Sequence, residues 1–214
     1  LKHEVARTST LQAEATQERQ RREEQGMLMA MLSHEIKTPL SVLKLVMDEK
    51  VAGSDLEGHA NRAVSNINFI VNRCLQLGKL DAKAIQLNPT SFSAKDFVSA
   101  LLQDIQGASR VQTDIPDSLV LSADREILRL VLNNLIENAL KYSDPAQAVQ
   151  LNMRTHSQAM GRRIVIEVRN KVGILGVPDP DQVFKKYYRN TQATKVTGSG
   201  LGLFLVHELV AVMG

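Results

Sequence analysis

Met31-Leu32-Ser33-His34-Glu35-Ile36-Lys37-Thr38-Pro39-Leu40 is the stretch on which the reading of this 214-residue chain turns. Around it Leu28, Met31, Leu32, Ile36, Leu40, Leu43 and Val46 or Met47 recur largely at helical steps, which predicts an amphipathic helix. On that helix His34 and Thr38 are four residues apart, one turn above each other on a shared face. An imidazole with an ordinary pKa of about 6.5 is mostly uncharged at neutral pH and keeps one ring nitrogen free to attack an electrophile. Glu35 follows directly and can hold the proton of the other nitrogen. Pro39 brings no N–H to the carbonyl of Glu35, so the helix is expected to loosen or kink just below His34. A zinc-protease pattern fails here, because Thr38 stands where a second histidine is needed.

Composition bounds the alternatives. Hydrophobic residues at 43% and charged residues at 23% describe a globular chain long enough for one large domain or two small ones. The net charge of +3 comes without a basic patch interleaved with aromatics, which argues against a nucleic-acid partner. A single cysteine, Cys74, rules out an intrachain disulfide framework and fits a reducing, cytoplasmic setting. No stretch approaches the roughly 20 apolar residues that span a bilayer, and no signal-peptide pattern opens the chain. Because it begins at Leu1, it reads as a piece of a longer protein, reaching a membrane only through upstream segments.

Residues 1–26 are polar and helix-favouring, with a thin apolar stripe and a mixed-sign charge run from Gln17 to Gln25, as in a coiled-coil connector. The helix around His34 is expected to stop near Ala52-Gly53-Ser54. After a short turn, Ala60, Ala63, Val64, Ile67, Ile70, Val71, Cys74 and Leu77 or Gly78 repeat on heptad spacing through Leu80. Two long helices so joined form a hairpin whose apolar face is too wide to bury alone. A second copy is expected to complete a four-helix bundle, with His34 on its outside.

The pattern breaks between Asp81 and Pro89, where a domain boundary is placed. Leu87–Phe92 reads as extended, Ser93 with Asp96 as a capping-box-like start for a helix to about Ile105, and 111–115 and 118–121 as strands around a proline turn. Asp124 caps a helix to about Tyr142, and 148–154 and 163–169 form a strand pair. In Leu132-Asn133-Asn134-Leu135-Ile136-Glu137-Asn138-Ala139-Leu140-Lys141-Tyr142, the residues Asn134, Asn138 and Lys141 share one face opposite an apolar one. Asparagine is a poor helix former, so the alignment needs a reason. A carboxamide oxygen can ligate Mg²⁺, and a lysine one turn on can meet phosphate charge. Gly198-Ser199-Gly200-Leu201-Gly202-Leu203 then opens an apolar helix, and glycines there let backbone N–H groups converge on an anion. No clear strand precedes this run, so a dinucleotide-binding βαβ frame is missing.

Taken in order over roughly residues 27–214, these segments resemble the boxes of sensor histidine kinases, the autokinases of two-component signalling. The resemblance implies that His34 accepts the γ-phosphoryl group of ATP, that Glu35 is its general base, and that Thr38 serves dephosphorylation of the regulator. It implies that Asn138 ligates Mg²⁺, that Asn134 polarises the reaction region, and that Lys141 and Tyr142 contact nucleotide. Gyrase-like and chaperone-like relatives of the fold carry Glu where Asn134 stands, so the asparagine favours the kinase branch. In Asp181-Gln182-Val183-Phe184-Lys185-Lys186-Tyr187-Tyr188-Arg189 the resemblance makes Phe184 a packing residue under a lid at 190–197, counts Tyr188 among the nucleotide-binding residues and places Arg189 to reach phosphate. Gly198, Gly200, Leu201 and Gly202 become the last glycine box. At the family's Asp-x-Gly-x-Gly box this chain has Asn170, with Gly173 and Gly176 off the usual spacing. A neutral Asn170 accepts a hydrogen bond from adenine more weakly than a carboxylate does, so weakened or altered nucleotide binding is expected.

The expected architecture is α+β. A two-helix hairpin forms a dimeric four-helix bundle, and an α/β sandwich of the Bergerat ATP-binding type follows, truncated at its C-terminus. Residues 1–26 are the signalling helix, 27–83 the dimerisation and phosphotransfer domain, and 87–214 the ATP-binding domain. The expected partners are ATP with Mg²⁺, a second copy of the chain and a response regulator receiver domain. The rivals are a non-catalytic relative that binds another kinase or regulator, and a plain gyrase-like ATP hydrolase.

Overall fold

The computed structural model describes residues 2–47, 56–81, 84–158, 161–190 and 199–214, which divide into two compact units, Leu1–Ile70 and Val71–Gly214. In the first unit α1 runs over Lys2–Met47, 46 residues with Pro39 inside it. The helix continues through Pro39: the missing N–H costs one backbone bond in a long ladder and does not end it. Arg19 pairs with Glu23 at 2.9 Å and Arg22 with Glu18 at 2.5 Å, each across one exposed turn. The helix stop expected at 52–54 lies outside the described residues.

Helix α2, Leu56–Asp81, begins in the first unit and ends in the second. Its buried residues Ala63, Ile70 and Leu77 fall seven apart, the heptad expected of it. No helix among the described residues is long and apolar enough to cross a membrane.

The second unit is built from β1 (Pro89–Ser93), α3 (Ala94–Gln103), a 3₁₀ turn (Ala108–Arg110), β2 (Val111–Asp114), β3 (Val120–Asp124), α4 (Arg125–Tyr142), β4 (Val149–Gln158), β5 (Gly161–Arg169) and α5 (Gly202–Met213). Both expected caps form. Ser93 Oγ accepts from the N–H of Asp96, and Asp124 accepts from the N–H groups of Glu126 and Ile127.

The two strands flanking Pro116 do not pair with each other. β3 pairs antiparallel with β1, Leu121 opposite Phe92, whereas β2 pairs parallel with β4, Val111 opposite Val149. A parallel pair needs a crossover, and α4 lies within it. β4 and β5 pair antiparallel as expected, giving a β2-β4-β5 sheet beside the β1-β3 ribbon. Val149, Leu151 and Met153 are buried along β4, and Leu151 and Met153 join one core with Leu132 and Ile136 of α4 and Phe97 and Leu101 of α3, all fully buried or nearly so. Burying each such side chain stabilises by roughly 1.5–3 kcal/mol. α5 packs against α4, and its Leu205 and Leu209, one turn apart, are sealed from solvent. That contact positions the second site.

Candidate functional site

In the first unit His34 and Thr38 are both exposed on α1, with Glu35 half-buried between them and Pro39 buried. The imidazole is therefore open to a reactant from solvent, and the hydroxyl one turn on lies on the same face.

In the second unit the asparagine stripe of α4 is graded rather than uniformly exposed. Asn134 is buried, Asn138 half-buried and Lys141 exposed. The reason is α5. A Cβ placed on Gly202 would come 2.9 Å from Asn134 Oδ1 and 3.6 Å from Asn138 Nδ2, so the glycine lets α5 close directly over the amides. Asn134 Nδ2 then donates to the carbonyl of Leu130 at 2.7 Å, satisfying a donor that burial would otherwise strand.

Two backbone approaches assemble the rest. The N–H of Gly173 donates to the carbonyl of Tyr142 at 3.2 Å, and a Cβ on Gly173 would sit 2.7 Å from that oxygen. Gly173 thus has a steric requirement of its own, although its spacing departs from the expected box. Gly200 has φ +69° and faces the backbone of Tyr187 and Tyr188, where a Cβ would meet Tyr187 carbon at 2.6 Å. Tyr187 itself is held at φ 67°, and its N–H donates to Gly200 oxygen at 3.0 Å. A non-glycine residue in that region is strained, and here the strain buckles the two segments together.

The Tyr188 hydroxyl accepts from the N–H of Asp179 at 3.1 Å, tying down the 179–188 turn. Burial pushes the Tyr142 phenol up from its ordinary pKa, and the charge of Arg189 pulls against that rise. Lys141 Nζ lies 5.2 Å from the Tyr142 ring centroid. Leu201 is fully buried, its N–H donating to Ser199 Oγ at 3.3 Å, and Ser199 also accepts from Arg73 of α2. α5 starts after Leu201 without a side-chain cap, so no capping side chain takes up the N–H groups of its first turn.

Asn170 stands just past β5, exposed, with Nδ2 donating to the carbonyl of Lys171 at 3.2 Å. Phe184 is partly exposed and lies 5.5 Å, centroid to centroid, from His207 of α5. Of the lid expected at 190–197 only Asn190 is described, its Nδ2 donating to the carbonyl of Leu175 at 3.2 Å; the rest and Gly198 lie outside the described residues. The structure thus brings together Asn134, Asn138, Tyr142, Gly173, Gly200 and Gly202, with Arg189 near enough to act on Tyr142. Among the described residues no group of three His, Cys, Asp or Glu could hold a metal ion unaided.

Sequence reasoning missed Arg110. Its guanidinium donates to the Leu140, Asp144 and Gln147 carbonyls and to Ser143 Oγ at 2.7–3.3 Å. Nothing local announces this, because every acceptor lies 30 or more residues onward in the chain.

Residues 123–214 match the family described as histidine kinase-, DNA gyrase B-, and HSP90-like ATPase, so this part of the chain is an ATPase-type, ATP-binding domain. The chain is 28% identical over 218 residues to the sensor histidine kinase WalK of Bacillus subtilis, covering 94% of this chain and 35% of WalK. It is 29% identical over 205 residues to the adaptive-response sensory kinase SasA of Prochlorococcus marinus, covering 90% of this chain and 52% of SasA. Its fold resembles that of the Acinetobacter baumannii histidine kinase AdeS with a TM-score of 0.51 at 21% identity, over 83% of this chain and 86% of that one. The chain is thus similar to sensor histidine kinases, and its helical region followed by a mixed α/β unit has the fold of their catalytic regions. It spans between about a third and about a half of the length of WalK and SasA.

Proposed function

We propose that the chain is the signalling core of a sensor histidine kinase, transferring the γ-phosphoryl group of Mg-ATP to His34. The reading rests on one observation: an exposed His34, followed by Glu35, in a chain whose other unit carries an ATPase-type site. The free ring nitrogen of His34 attacks the γ-phosphorus, the bond to the β-phosphate oxygen breaks, and ADP leaves. Glu35 takes the N–H proton of the imidazole. Catalysis is then mostly positioning and charge neutralisation. Lys141, Arg189 and the N–H groups at the start of α5 meet the phosphates, and Asn138, half-buried beside Gly202, is the side chain suited to Mg²⁺. Mg²⁺ held by Asn138 would neutralise phosphate charge, and a site offering few protein oxygens suits that ion.

The phosphoryl group passes next to an aspartate of a response regulator receiver domain, and Thr38 serves its later removal. Residues 27–83 act as the dimerisation and phosphotransfer domain and 87–214 as the ATP-binding domain, on the cytoplasmic side of a longer protein. Incubation with γ-labelled Mg-ATP tests the reading. A label that is acid-labile, base-stable and absent from His34→Ala supports it, and Thr38→Ala should keep the label while slowing dephosphorylation of the regulator. Steady phosphate release independent of His34 would favour a plain hydrolase.

A second reading has its own motive. Asn170, in place of an acid, offers adenine only a neutral acceptor, and its amide nitrogen is engaged with Lys171. Intact nucleotide binding without any label would make the chain a binding partner of another kinase rather than a kinase.

A further inference from the structure

We propose that Arg110 is a positioning residue for the nucleotide site, holding the last turn of α4 so that Lys141 and Tyr142 keep their aim; this rests on the ATP-binding reading above. Arg110 ends the 3₁₀ turn before β2 and is only half-buried. Its Nη1 donates to Leu140 oxygen at 3.3 Å, and its Nη2 to Ser143 Oγ at 2.7 Å, Asp144 oxygen at 2.8 Å and Gln147 oxygen at 2.9 Å. Its Nε adds a bond to Gln147 oxygen at 3.3 Å.

Leu140 oxygen is one of the carbonyls that α4 leaves without a helical partner where it ends, at the negative end of its dipole, and the other acceptors follow within five residues of that end. A planar fork of donors carrying a permanent charge suits them better than an ammonium does. The other side of the same turn is stitched to the segment after β5. Gly173 N–H donates to Tyr142 oxygen, Asp144 N–H donates to Lys171 oxygen, and Ser143 bridges Val172. Residues 142–144 are therefore gripped from two directions, and Lys141 and Tyr142 project from the gripped turn. None of the acceptors of Arg110 is a carboxylate, so its charge is spent on orienting backbone and not on an ion pair.

Arg110→Met and Arg110→Lys in the full chain test this, with circular dichroism confirming the fold. Two readouts are taken: the ¹³Cζ titration of Tyr142, assigned by Tyr142→Phe, and the affinity for a non-hydrolysable ATP analogue with Mg²⁺. Arg110→Met is expected to bring the Tyr142 phenol down toward its ordinary range, as water enters the loosened turn. It should also weaken analogue binding by about tenfold, the low end of what losing a residue that orients ligand-binding groups costs. Arg110→Lys, able to meet only some of the acceptors, should fall between and keeps the test open if the methionine variant does not fold. Wild-type affinity in a folded variant overturns the proposal, whatever the tyrosine does. A wild-type chain that binds no analogue overturns the ATP-binding reading instead. The Tyr142 titration, which needs no nucleotide, then decides on Arg110: unchanged, it overturns the assignment, and moved, it supports it.

Discussion

Gly200 carries a requirement that no other residue type meets. Its φ of +69° already disfavours a side chain, and the atoms a Cβ would strike belong to the Tyr187–Tyr188 backbone, which cannot swing aside. Gly200→Ala should therefore lower stability by about 2–4 kcal/mol, combining left-handed strain with overpacking; thermal unfolding against wild type measures it. Tyr142 makes a prediction about pH. Burial raises its folded pKa above the unfolded value near 10, so between those values the folded state keeps a proton that the unfolded state has lost. Its contribution is complete below about pH 10 and declines as pH rises through the folded pKa. Urea titrations of wild type and Tyr142→Phe across that range should diverge, wild type losing more stability on the alkaline side; parallel curves would refute the buried phenol. Asn134 shows where single residues escape a sequence reading. Its place on the polar stripe was legible from spacing, but its burial depends on Gly202, 68 positions later, and no local pattern carries that distance.

Elements whose signals are local were the legible ones. Ser93 and Asp124 read as caps because the amides they accept from lie two or three residues on, and both caps form. The two differ in what they hold. Ser93 takes one N–H at 3.2 Å, whereas Asp124 takes those of Glu126 and Ile127 and, through its other oxygen, that of Asn88 at 3.0 Å. Asp124→Ala should cost about 2 kcal/mol and Ser93→Ala about 1 kcal/mol, read from the shift in denaturation midpoint at constant slope. Equal losses would mean that the Asn88 bond adds nothing. Strand existence at 111–115 and 118–121 was likewise visible, but partner choice was not. The alternation of a short strand gives its inward face without naming the edge it joins, so β2 and β3 could be placed and not paired. Pro39 lies inside the unbroken span of α1, so the proline does not end the helix.

At the scale of the molecule, the helices leave apolar surface uncovered. Met29, Leu40 and Met47 on α1 and Val64, Val71 and Leu75 on α2 are all at least 42% exposed, at separations of four, seven and eleven that keep one face. If the expected homodimer forms through these helices it covers them, and Leu40→Lys with Val71→Lys should then shift sedimentation from dimer to monomer while leaving the α/β unit folded; an unchanged dimer would place the interface elsewhere. The resemblance to sensor histidine kinases was legible over most of the chain because each segment that carries it is short and contiguous. The grip of Arg110 and the buckle between Tyr187 and Gly200 were not, since each joins residues brought near only by folding. The pairing of β2 with β4 also bears on how the chain is made. As it leaves the ribosome, β1 and β3 can zip up once Asp124 has emerged, but Val111–Asp114 must wait for Val149–Asn152, with the whole of α4 synthesised in between. Until then β2 is an orphan edge, and chaperone capture at that stage of translation is where a slow-growing nascent chain would be most exposed.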